Sequence, residues 1–162
     1  MPRGRRRVAP KLGRRVRKDI QRPGLSPLEA KMLYANELMD KLLELAIADP
    51  DVEQEFARLV EIEFDKAGIP PPPIDISDDI ETVVDSIVKH LDKYRNTLYE
   101  KTRPRSELEE ENLLKSIALD VLINSATIVL KWYMPRTDLM ALLKWGEEIE
   151  EQENRPGGAA QK

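Results

Sequence analysis

There is no cysteine in this 162-residue chain, so disulfides, thiolate metal ligands and cysteine nucleophiles are excluded. Histidine occurs once, at His90, and Ile87 occupies the place one turn earlier where a Glu-x-x-His di-metal pattern needs a carboxylate. Aromatic residues make up 5% of the chain, and they form no base-stacking platform. The most apolar run, residues 121–130, is bounded by Asp120 and Lys131 and contains Asn124. It falls short of the roughly 20 residues that span a bilayer, so no transmembrane segment is expected. Nor does the N-terminus read as a secretory signal, because its positive residues lead into more positive residues rather than an apolar stretch.

Charge is what the chain has in quantity, at 35% of residues, and it is unevenly placed. Residues 1–24 hold ten Lys or Arg against one Asp, while the rest holds 16 against 29 Asp or Glu, giving a +9 arm on a −13 body beneath a net charge of −4. Such a density of like charge repels itself unless a polyanion neutralises it. The arm residues Arg3, Arg5, Arg6, Arg7, Lys11, Arg14, Arg15, Arg17, Lys18 and Arg22 are the candidate nucleic-acid-binding set. Nine charges match the phosphates along about 15 Å of duplex. The preference for Arg suits phosphate, because a guanidinium forks onto two oxygens and is less strongly hydrated than an ammonium. Neither zinc-finger spacing nor a base-reading helix is recognisable, so binding is expected to be independent of base sequence.

The remainder reads as an all-α domain, an antiparallel bundle of four to five helices over residues 25–154, with residues 155–162 as a flexible tail. Ser26-Pro27-Leu28-Glu29 combines an N-cap, Pro at the first helical position and Glu at the third. The stripe of Leu28, Met32, Ala35, Leu38, Met39, Leu42, Leu45 and Ala46 carries this first helix to Ala48. Asp49-Pro50 opens a second helix, with Val52, Phe56, Leu59, Val60 and Phe64 inward and Gly68 as its left-handed cap. Four prolines at residues 70–73 enforce an extended joint, dividing the body into two helical hairpins.

From Ser77 or Asp78 a third helix is predicted to run to about Thr102 on the register of Ile80, Val83, Val84, Ile87, Val88, Leu91, Tyr94 and Leu98. Ser106 and Glu109 form a second capping box for a fourth helix ending near Met134-Pro135, apolar on most sides and so expected at the centre. Thr137-Asp138 caps a short fifth helix through Ile149. Within the arm, Val8, Leu12, Val16 and Ile20 are spaced by four; a helix there is marginal in water, and one formed on a polyanion that neutralises its charges would turn that line against a neighbouring subunit.

Other clusters have plainer readings. Asp78, Asp79 and Glu81, and Glu107, Glu109, Glu110 and Glu111, resemble the carboxylates of helical nucleotide pyrophosphohydrolases, but both groups sit in first turns, where acids favour the helix dipole anyway. No catalytic residue, metal site or cofactor is assigned. Asp120 and Asn124 lie one turn apart on the apolar fourth helix, where a buried carboxylate requires a partner. Trp132, Tyr133 and Trp145 are core or interface aromatics. Arg103, Arg105, Lys131 and Arg136 flank the turns at either end of the fourth helix and are candidates to extend the polyanion site.

The Pro-, Gly- and Arg-rich arm at residues 1–22, the cysteine-free body of proline-separated helices and the Glu- and Arg-rich, amide-poor composition of a hot habitat together resemble the major capsid proteins of filamentous archaeal viruses, of the rudivirus, lipothrixvirus and tristromavirus type. That resemblance implies a structural protein of the virion, made in the host cytoplasm. Its subunits would pair as homodimers, or as heterodimers with a paralogue, and wrap double-stranded DNA, held in A-form, within a helical filament. An envelope lies outside in some members. The strongly acidic body and the four-proline joint depart from that pattern. A chromatin- or ribosome-associated protein and a helical nucleotide pyrophosphohydrolase using Asp79, Glu107 and Glu110 are the competing readings.

Overall fold

A computed structural model describes residues 26–99 and 103–154. All regular structure in them is helical: α1 (Pro27–Ala48), α2 (Asp51–Lys66), α3 (Ile80–Asp92), the single turn α4 (Arg95–Leu98), α5 (Glu107–Tyr133) and α6 (Arg136–Asn154). The caps explain most boundaries. Ser26 Oγ accepts from Glu29 N at 3.1 Å while the Glu29 carboxylate accepts from Ser26 N at 3.0 Å. These bonds to Ser26 hold the Glu29 carboxyl below the ordinary glutamate range. Asp49 closes α1 through its N–H to Leu45 O and opens α2 by accepting Asp51 N at 3.0 Å.

α2 ends in a Schellman motif: Ile69 N donates to Phe64 O, Gly68 N donates to Asp65 O, and Gly68 takes φ +74°. Phe64 and Ile69, the apolar pair of that motif, are both buried. At Ser106 the box is split: its Oγ accepts from Glu109 N, but the Glu109 carboxylate reaches back one residue further, to Arg105 N at 2.8 Å.

α5 is the centre, packing against α1, α2, α3 and α6. Lys31, early in α1, bonds Ser116 and Asp120 in the first half of α5, while Asp49, just past α1, lies close enough to Tyr133 to help raise its pKa. α1 and α5 therefore run in the same direction. Asp51 and Glu55 at the start of α2 also act on Tyr133, and Tyr99, beyond α3, donates to Glu110 at the start of α5. α2 and α3 thus both run opposite to α5, and parallel to each other.

The antiparallel order expected throughout the bundle is corrected across residues 70–73, where α2 and α3 run parallel, while α1–α2 and α3–α5 on either side are the two antiparallel pairs expected. Prolines keep the chain extended, so it returns along α2 before α3 begins, and residues 71–74 line a groove with Phe56, Ala57 and Val60. His90 Nε2 lies 2.6 Å from Pro70 O, and its ring meets the Phe64 and Tyr94 rings edge-on or tilted, fixing the start of this strap to the end of α3. The sole histidine thus has a structural place beside the apolar stripe.

The third helix also stops earlier than its period predicts. Lys93 N and Tyr94 N bond three residues back, to His90 O and Leu91 O, tightening the last turn. The chain then redirects so that Tyr99 is buried against Glu110, which, after burial itself, pushes the Tyr99 phenol up to about 12. At the other end, Ser77 does not cap α3 but bonds Asp75 Oδ1 through both N and Oγ. α6 begins at Arg136, with Leu139 N bonded to Pro135 O, rather than at Thr137-Asp138.

The core follows the predicted stripes: Leu38, Met39, Leu42, Phe56, Phe64, Ile87, Leu91, Leu119, Leu122 and Leu130 are among its most enclosed side chains. Full burial of each large one contributes about 1.5–3 kcal/mol. α5 is long and apolar enough to cross a bilayer by length and composition, which corrects the sequence expectation. The count over residues 121–130 stops at Asp120 and Lys131, both of which lie on the outward arc of α5. Contact with four other helices accounts for its apolarity.

Candidate nucleic-acid interface

The ten arm cations, Arg3, Arg5, Arg6, Arg7, Lys11, Arg14, Arg15, Arg17, Lys18 and Arg22, lie outside the described residues, as does the tail from residue 155. The body fixes where the arm departs. Ser26 precedes Lys31 by little more than one turn, and Lys31 touches Ser116 and Asp120, so the arm leaves beside the N-terminal half of α5.

The four cations at the turns do not form one patch. Arg103 and Arg105 lie just before α5 and Lys131 and Arg136 at its end, all exposed; a 27-residue helix separates them by about 40 Å. Only the first pair shares the end of the body from which the arm leaves.

The acidic clusters are similarly dispersed. Glu109 caps Arg105 N; Glu110 accepts Tyr99 OH at 3.2 Å and lies 3.5 Å from Arg95; Glu111 pairs with Lys115 at 3.7 Å. Asp79 starts α3, which runs opposite to α5, so α3's 13 residues hold it about 20 Å from the level of Glu107 and Glu110. Among the described residues no three His, Asp or Glu side chains converge as ligands for a metal ion. The three carboxylates of the hydrolase reading are not brought together.

Asp120 is corrected in a different sense. Its side chain is 55% exposed, and the buried partner is Lys31, 7% exposed, at 2.6 Å. Asn124 is exposed as well. Lys31 was legible: it shares a stripe with Ala35, Leu38 and Leu42 at spacings of four, three and four. Glu37 and Asp40 are buried on α1 too, and Glu37 lies 3.9 Å from Lys41. Trp145 is buried edge-on to Tyr34 at 5.2 Å, whereas Trp132 is 78% exposed. Trp132 continues the inward line of Leu114, Val121 and Ser125 on α5, at the last turn of the helix.

A second groove, of about 400 Å³, lies between α1, α5 and α6. Half-buried Ile123 and Leu143 and buried Ile149 give it an apolar lining, and Asp120, Glu147 and Glu150 stand at its edge. Tyr34 OH donates to Leu142 O at 2.9 Å beneath it. Burial, reinforced by Glu147 and Glu150, pushes that phenol well above the ordinary tyrosine range. Sequence periodicity placed Leu143 and Ile149 on α6 but carried no sign that α5 and α6 stand apart. No family model, curated protein or solved structure matches this chain.

Proposed function

We propose that this protein is a structural nucleoprotein that coats double-stranded DNA without base specificity through its N-terminal arm, its helical bundle forming the shell of a helical filament. The observation that carries the reading is the charge split, +9 over residues 1–24 and −13 over the rest. An acidic body is repelled by phosphate, so DNA contact falls to the arm, which at full extension reaches about 80 Å. Exposed Ile47, Trp132 and Met140, at 75%, 78% and 54%, supply apolar surface of the kind that contacts between subunits cover. The partner subunit is a second copy or a paralogue, the duplex is held in A-form, and the assembly is a virion nucleocapsid, with or without an envelope around it.

Neutralising about nine phosphates gives a log–log slope of affinity against salt near −8. Deleting residues 1–22 abolishes DNA binding and leaves the helical circular dichroism intact, and negative-stain images of the intact chain mixed with duplex DNA show regular filaments. Retained affinity after the deletion, or small discrete complexes in place of filaments, overturns the reading.

A further inference from the structure

We infer that, without DNA, the arm of each chain docks into that same chain's groove between α5 and α6, so that DNA must displace it. The inference deepens the proposed function by supplying a competitor for the arm, and it rests on that reading only where DNA is concerned.

The groove and the arm are complementary in two independent respects. The first is charge. Glu147 and Glu150 line the groove beside Asp120, which holds Lys31, and Lys131 lies farther along α5; with Glu148 and Glu151 nearby, the two glutamates are exposed over the last turns of α6, where the helix dipole is already negative and no basic residue lies in the last turn. Carboxylates there are unfavourable for the isolated helix, and a segment with ten Lys or Arg against one Asp reverses the sign of that interaction. The second is apolar pattern. Laid as a helix from Pro10, which a first helical position tolerates, the arm aligns Leu12, Val16 and Ile20 on one narrow line. The lining of Ile123, Leu143 and Ile149 offers that line a seat.

Reach admits the chain's own arm, and tethering favours it over a neighbour's. Lys31 lines the groove and Ser26 is little more than one turn before it. The six residues from Ile20 to Ser26 span up to about 20 Å, and residues 10–20 as a helix measure about 16 Å. The larger groove along the proline strap is a poorer seat, because it is lined only by residues 53–61 and 71–76, with no residue of α1, from whose start the arm departs.

Docking of this kind lowers apparent DNA affinity by the fraction of arms held. Two measurements on the full chain test it. Zero-length carbodiimide coupling, read by mass spectrometry on a mixture of isotopically light and heavy chains, joins Lys11 or Lys18 to Glu147 or Glu150 within one chain, and added duplex DNA suppresses the product. The double variant Leu12→Ser/Val16→Ser keeps every arm charge, and its DNA affinity rises about three- to tenfold. Glu147→Gln/Glu150→Gln acts in the same direction and by more than Glu61→Gln/Asp65→Gln on the outer face of α2, which controls for general repulsion.

Absence of these couplings, couplings only between light and heavy chains, or unchanged affinity in the serine variant overturns the docking. If the couplings form but the wild-type chain shows no DNA affinity, docking stands and the DNA-coating function fails. With DNA affinity but no couplings, the coating function stands and docking fails.

Discussion

Replacing Gly146 with Ala tests the packing of α6 on α1 most directly. Gly146 is interior to α6, where Ala gains about 1 kcal/mol over Gly from helix propensity. Here the added methyl lands 2.6 Å from Tyr34 Oη and 2.9 Å from Cζ. Tyr34 is 3% exposed and its hydroxyl is held by Leu142 O, so the ring cannot move aside without giving up that bond. Overpacking of this sort costs about 1–3 kcal/mol. If the ring yields instead, the Tyr34–Leu142 bond is lost at about 1 kcal/mol, together with an edge-on Trp145 contact worth about 0.5–1.5 kcal/mol.

The net expectation for Gly146→Ala, once the propensity gain is subtracted from the overpacking cost, is a loss of up to about 2 kcal/mol in urea unfolding followed by far-ultraviolet circular dichroism. Tyr34→Phe removes the closest atom, so Gly146→Ala is less costly in that background, with a coupling of at least about 0.5 kcal/mol. A Gly146→Ala chain stabilised by the full propensity gain, or strict additivity with Tyr34→Phe, would show that α6 does not rest on Tyr34.

Three further outcomes follow from the same packing. Ser26→Ala removes one arm of the capping box and lowers stability by about 1 kcal/mol in the same unfolding assay. Gly68→Ala forces a Cβ into the left-handed region at φ +74° and costs about 1–2 kcal/mol, although no neighbouring atom obstructs it. The phenols of Tyr34 and Tyr99 are both raised above 10.0, so the stability they contribute is complete below that pH and declines as pH rises, for Tyr99 through about 12. Ultraviolet phenolate absorbance followed against helical circular dichroism checks this: loss of helix accompanies ionisation of these two residues, and their titration near 10 in a folded chain contradicts it.

Local chemistry at the termini made much of this fold readable. Ser26, Asp49, Gly68 and Ser106 act on backbone groups a few residues away, so their effects are written in the neighbouring sequence. The end of α3 was not readable, because Tyr94 and Leu98 keep the helical period while the chain turns to bury Tyr99 against Glu110, a partner eleven residues on. Direction was equally hidden: the prolines announce an extended segment, but contacts far apart in sequence, such as Phe64 with His90 and Tyr99 with Glu110, show that α2 and α3 are parallel. Of the candidate interface, the charge of the arm was evident in composition, whereas the groove beside α6 depends on the separation of two helices that their own stripes do not encode.

The proline strap has almost no slack. From Ile69, tied to Phe64, it must return towards Glu53, beside which Pro73, Ile74 and Asp75 line a third groove. Eleven helical residues rise about 17 Å, and six polyproline residues reach about 19 Å. Deleting one proline subtracts about 3 Å from an extended segment, which a shortened chain recovers at the end of α2 or the start of α3. An inserted residue merely bulges outward. Tolerance to length change at this segment is therefore one-sided: lengthening is accommodated, and shortening is transmitted straight into the helices it joins.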